Sequence, residues 1–158
     1  MLRRAAYDEL VATVYDAGLQ PDLWPRCFAD IRAVVGAETS LASIQHRGLG
    51  AVRMLACNLS PTFTQLYNEV WWPHDPWMQG AARNLGRVVD AAQCLSDEAF
   101  INTKIYNELV KPHGDLRHML GVVLQTDDHI FVTGVHRPSI ASNFADADRR
   151  RYRFVLGH

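Results

Sequence analysis

Phe100-Ile101-Asn102-Thr103-Lys104-Ile105-Tyr106-Asn107-Glu108-Leu109-Val110-Lys111-Pro112-His113-Gly114 reads as one amphipathic helix closed by Pro-His-Gly. Two apolar runs come next, from His118 to Gln125 and from Ile130 to His136, either side of a turn at Asp127-Asp128. Both are apolar at nearly every position, which predicts central strands covered on both faces. An amphipathic helix that runs into such a hairpin can form one wall of a ligand pocket in a small sensory α+β domain.

Working back toward the N-terminus, Leu2, Ala6, Leu10, Val11 and Val14 recur at helical spacing, predicting a helix near residues 3–17 that Gly18 ends. Pro25 suits the first turn of a second helix, with Phe28, Ile31, Val34 and Val35 as its buried stripe and Gly36 as its stop. From Thr39 the period becomes two. Thr39 to Arg47 and Ala51 to Cys57 flank Gly48-Leu49-Gly50 and predict a hairpin. Ser60-Pro61 caps a third helix whose apolar face is Phe63, Leu66, Tyr67, Val70 and Trp71. The prolines in Trp72-Pro73-His74-Asp75-Pro76-Trp77 break it, because each disfavours helix at the residue before. Next come a short helix from Met78 to Asn84, an edge strand at Arg87-Val88-Val89 and a helix start at Ser96-Asp97-Glu98. Phe144-Ala145-Asp146 opens a last helix carrying Tyr152, Val155 and Leu156. No internal repeat is expected. The order gives an α+β fold: a single antiparallel sheet of about four to six strands flanked by helices, PAS/GAF-like, with helices at both ends.

At 158 residues and 48% hydrophobic, residues 1–158 fit one domain with a full core. The formal net charge of -1 offers no basic field for nucleic acid, and Arg149-Arg150-Arg151-Tyr152-Arg153 reads as a solvated helix face. Cys27, Cys57 and Cys94 are an odd number without Cys-x-x-Cys spacing, so reduced thiols and a cytoplasmic location are expected. Met1-Leu2-Arg3-Arg4 leads into no long apolar run, so neither a signal peptide nor a membrane span is expected.

Seven histidines invite a metal, but none of their spacings puts a pair on one helical turn. No cofactor is expected. There is no Gly-x-Ser-x-Gly elbow and no phosphate loop, so an enzyme, with His113 or His118 as base, is the weakest reading. The aromatic cluster carries more. Tyr67, Trp71, Trp72 and Trp77 surround Asp75, joining large apolar faces to a carboxylate that can accept from a ligand amide or amine. The competing reading has the rings fill the core and Asp75 cap the short helix after it. Tyr106, His113 and His118, on the other pocket wall, complete the candidate set, with helix packing as the alternative for Tyr106 and a helix-end contact for His113.

The ordered pieces Tyr15-Asp16-Ala17, Leu23-Trp24-Pro25, Tyr67-Asn68-Glu69, Asp75-Pro76-Trp77, Gly86-Arg87-Val88-Val89, Tyr106-Asn107-Glu108, Lys111-Pro112-His113-Gly114, His136-Arg137-Pro138 and Phe144-Ala145-Asp146-Ala147-Asp148-Arg149 resemble a known arrangement. It is the N-terminal sensory domain that precedes the helix-turn-helix in LuxR-type transcriptional regulators. The resemblance implies a small-molecule ligand, a homodimer, and DNA contact through a downstream module that these residues do not include, as in a shortened chain or a stand-alone sensor. The Asp75-Pro76 step is similar to that of the acyl-homoserine-lactone-binding branch. The Tyr67/Trp71/Trp72 spacing departs from that branch, so its ligand is not carried over. A structural dimerisation module without a ligand is the alternative.

Overall fold

A computed structural model describes residues 4–50 and 52–158. Met1, Leu2 and Arg3 of the first expected segment and Ala51 of the second strand lie outside the described residues. Helix α1 (Arg4–Leu19) runs through Gly18 and ends one residue later, where Gln20 N–H donates to Asp16 O at 2.8 Å. Helix α2 (Trp24–Val35) ends at Gly36, whose φ of 71° is left-handed. A Cβ at Gly36 would also lie 2.9 Å from the Arg137 guanidinium.

Strands β1 (Thr39–His46) and β2 (Val52–Cys57) form the first hairpin. Helix α3 (Pro61–Leu66) starts where Ser60 Oγ accepts from Phe63 N at 3.1 Å. It continues through a wide i→i+5 turn at Tyr67–Trp71 and a tight turn at Trp72–His74. Helix α4 (Pro76–Ala82) comes next, then β3 (Val89–Asp90), α5 (Ala91–Cys94) and α6 (Asp97–Ile101). Gly80 of α4 lies against α5 so closely that a Cβ would stand 2.5 Å from Cys94 Sγ.

The helix expected without a break around Phe100 is in fact two pieces. Asn102 Nδ2 donates to Glu98 O at 2.8 Å and Thr103 Oγ1 donates to Phe100 O at 2.7 Å. Thr103 Oγ1 also accepts from Tyr106 N at 3.2 Å, so this side chain closes one helix and caps the next. The second piece includes a wide turn at Tyr106–Val110 and a tight one at Lys111–His113. Val70, expected on an apolar face, is instead exposed. The extra residue in the turn at Tyr67–Trp71 rotates the side chains of this segment away from the α-helical stripe.

Strands β4 (Leu116–Gln125) and β5 (His129–Pro138) complete one five-stranded antiparallel sheet in the order β2-β1-β5-β4-β3. Met119 through Val123 and Thr133 through His136 are all buried, so the middles of both strands are covered on both faces. One face carries α1, α2 and helix α7 (Asp146–Leu156), packed through Leu10, Phe28, Ile31, Val35, Tyr152 and Val155 onto Leu120 and Val135. The other face carries the segment from α3 to His113, packed through Phe63, Trp77, Phe100, Ile105 and Leu109 onto Leu116 and Met119. A register shift between Leu116 and His118 lets Leu116 share a side with Met119.

The arginine run is not simply a solvated face. Arg149 pairs with buried Asp90 at 2.6 Å and Arg151 with Asp148 at 3.0 Å, while Arg150 and Arg153 are exposed. Arg137 acts as a clamp at the end of β5. Its five N–H groups reach Gly36 O, Val35 O, Ser142 O, Asn143 O and Asp148 Oδ2 at 2.6 to 3.2 Å, and it lies 4.1 Å from the centre of the Phe144 ring. No described helix is long and apolar enough to cross a membrane. The three cysteines are free, and no described trio of His, Cys, Asp or Glu is arranged to hold a metal.

Candidate functional site

Asp75 ends the tight turn after Trp72 and caps α4, accepting from Trp77 N at 2.9 Å through Oδ1. Oδ2 accepts from Tyr67 Oη at 2.7 Å. Burial pushes the carboxyl upward, against the hydrogen bonds from Tyr67 and the α4 backbone. The same burial, with the adjacent carboxylate, pushes the Tyr67 phenol well upward, so it stays a donor. Asp75 thus caps α4, as the competing reading has it, and also lines a cavity.

That cavity has a volume of about 40 Å³, enough for a water molecule or so. Leu41, Leu59, Phe63, Leu109, Val110 and Leu116 give it apolar walls, and Tyr67, Asp75 and His136 are its polar groups. Trp77 and Phe100 close one side, with ring centres 4.4 Å apart. Trp77 Nε1 is buried and has no hydrogen-bond partner among the described residues.

His136 also lines this cavity, although in the sequence it stands out only within the piece His136-Arg137-Pro138 and not as a candidate site residue. Its Nδ1 lies 3.1 Å from Thr39 Oγ1 and its ring stacks on Trp77 at 6.2 Å. Burial pulls its pKa down to about 4, so the ring is neutral at physiological pH and presents one donor and one acceptor. Beyond that piece, the signal in the sequence is a histidine inside an apolar run on a central strand.

The remaining candidates divide. Trp71 is half-buried against the same cluster, whereas Trp72 is 56% exposed and lines neither cavity. His113 puts Nδ1 2.7 Å from Leu109 O and its ring edge-on to Phe63. Tyr106 is buried, with Oη donating to Asp115 Oδ1 at 2.6 Å. His118 lies 3.0 Å from Ala141 O and lines a second cavity, of about 210 Å³, which shares Trp77 and Phe100 with the first.

Tyr67 and Tyr106 also reveal a repeat where none was expected. Tyr67-Asn68-Glu69-Val70-Trp71-Trp72-Pro73-His74 matches Tyr106-Asn107-Glu108-Leu109-Val110-Lys111-Pro112-His113 in spacing. Both copies make a wide turn and then a tight one, and in both the tyrosine hydroxyl donates to the aspartate just beyond. The second copy inserts Gly114, at φ 114°, before Asp115. Eight residues are too few for a periodicity search to separate from chance, and the shared geometry is what makes the match meaningful.

No family model matches the chain, and no curated protein does. Solved structures do. The VqsR LBD domain from Pseudomonas aeruginosa is 16% identical, with a TM-score of 0.67 over 96% of this chain and 94% of that one. SdiA in complex with octanoyl-rac-glycerol is 12% identical, with a TM-score of 0.62 over 99% of this chain and 68% of that one. The N-acylhomoserine-lactone-dependent LuxR-family transcription factor CepR2 from Burkholderia cenocepacia is 15% identical, with a TM-score of 0.61 over 94% and 87%. At such identities the likeness is one of fold. That fold is the one found in ligand-binding domains of LuxR-type regulators, the family that the sequence pieces resemble.

Proposed function

We propose that the chain is a small-molecule-sensing domain of a LuxR-type transcriptional regulator, working as a cytoplasmic homodimer whose DNA contacts belong to a downstream module. The observation that carries this reading is Asp75, a half-buried carboxylate facing a cavity with apolar walls. It accepts from Tyr67 and Trp77, and a carboxylate has capacity for more, so a ligand N–H or O–H completes it. The apolar lining suits an acyl or ring substituent beside that polar head. SdiA's octanoyl-rac-glycerol and the N-acylhomoserine lactone named for CepR2 have this general make-up.

A cavity of about 40 Å³ holds no acyl chain, so a ligand enters as Tyr67, Trp77 or Phe100 moves aside. The ligand shifts the closed-to-open balance only by the difference in its affinity for the two states. Tyr15, Leu19 and Phe154 are exposed on α1 and α7, an apolar surface suited to dimerisation through the terminal helices. Thermal unfolding with acyl-homoserine lactones and monoacylglycerols of graded chain length tests the proposal. Some members should stabilise the native chain and fail on Asp75→Asn; no stabilisation by any of them removes the ligand role.

One observation favours a dimerisation module without a ligand: the space that the Trp77–Phe100 stack helps enclose is only about 40 Å³. Aqueous quenching of total tryptophan fluorescence does not separate the two readings, because exposed Trp72 is quenched in either. With Trp24, Trp71 and Trp72 all replaced by Phe, a Trp77 signal that no ligand alters favours the module. For the enzyme reading, His113 and His118 make their hydrogen bonds to backbone carbonyls, which orient no nucleophile.

A further inference from the structure

We infer that the larger cavity is a second small-molecule site, selective for a small planar carboxylate about the size of benzoate. It lies where β4 begins and β5 ends, and its volume of about 210 Å³ exceeds the ~150 Å³ in which an apolar cavity takes up benzene. Trp77, Phe100 and Leu95 give it an aromatic and aliphatic lining, while Arg117, Ser139 and Asn143 contribute polar groups.

The charge that selects the ligand is Arg117. Its Nε donates to Asp97 Oδ1 at 2.9 Å and its Nη2 to Asp97 Oδ2, and Nη1 takes no part in that pair. A planar guanidinium fork matches a carboxylate better than any other side chain does. Asp97 is 61% exposed, so it can turn outward and be solvated when an incoming anion takes its place. The neighbouring acid is already engaged: Asp115 accepts from both Tyr106 Oη and Ser139 Oγ. Arg117 is itself set over the Tyr106 ring, 5.6 Å from its centre, so the second copy of the repeated motif fixes its position. The second copy thus braces this cavity through Arg117 while its Leu109 and Val110 wall the first. Asp75 does not line this cavity, so the inference goes beyond the proposed function, although Trp77 and Phe100 wall both cavities.

Titration calorimetry and ligand-observed NMR on the chain, with benzoate and its neutral isostere benzamide, provide the test. Benzoate should bind at least tenfold more tightly than benzamide, and Arg117→Gln should lower its affinity at least tenfold. Asp97→Asn should raise it roughly fivefold, by removing a competing negative charge. Ala92, on the cavity wall and exposed to solvent, can be enlarged without a core clash, and Ala92→Leu should block benzoate. Arg117→Gln and Ala92→Leu touch residues that line only the second cavity, so a failed Asp75 site and a failed second site give different results. The inference is overturned if benzoate binds neither the native chain nor Asp97→Asn, if benzamide binds equally well, or if Ala92→Leu has no effect. If Arg117→Gln does not fold, the Asp97→Asn and Ala92→Leu results decide.

Discussion

Acidification should destabilise this domain through His136, and the size of the effect can be worked out. In the unfolded chain the imidazole titrates near its ordinary 6.5, whereas in the fold burial holds it at about 4. Between those values the unfolded state carries a proton that the folded state refuses, so stability is complete above 6.5 and lost as the pH falls toward 4. At pH 4.5 the two-state linkage expression gives a loss of about 2.5 kcal/mol, which for a chain of this size is roughly 5–10 °C in Tm. Other groups titrate in the same window. Asp75, with its raised pKa, gains stability for the fold as pH falls, while Asp115, held below its ordinary value, loses it. The clean measurement is therefore a difference. Urea unfolding of the native chain and of His136→Gln at pH 7.5 and pH 4.5 should show the destabilisation caused by the substitution shrinking by about 2.5 kcal/mol at the lower pH. An unchanged difference would mean that His136 titrates normally in the fold, and the site would have lost its neutral imidazole.

The packing sets three more outcomes. Phe100→Ala should cost about 3–5 kcal/mol in chemical unfolding and remove the stack that Trp77 makes between the two cavities. Gly80→Ala should lower Tm by several degrees, because its new Cβ would meet Cys94 Sγ at 2.5 Å, and adding Cys94→Ala should recover part of the loss. Arg137→Lys should cost about 2 kcal/mol or more in urea unfolding, since an ammonium cannot serve the four carbonyls and one carboxylate that the guanidinium fork reaches.

Much of the frame is legible in the residues. The apolar runs of β4 and β5, the Ser60 and Ser96 caps and the left-handed Gly36 obey local rules, and the structure has them where those rules put them. The site is legible as a neighbourhood and not as a set of directions. An i→i+5 turn at Tyr67–Trp71 adds one residue, which moves the side chains after it by about 100° around the axis. Trp72 is therefore outside and Tyr67 inside, although both belong to one aromatic cluster in the sequence. His136 escapes such a reading because its partners, Thr39 and Trp77, come from segments distant in sequence. Thr103 interrupts a convincing helical period because its hydroxyl competes for backbone groups, a choice that tertiary packing settles.

His136 and Arg137 are consecutive on a strand and so point to opposite faces of the sheet. The first borders the cavity; the second grips the end of α2 and, through Asp148, the start of α7. The end of β5 is therefore where the two layers meet through one strand: one residue touches the cavity, and the next holds the last helix in place.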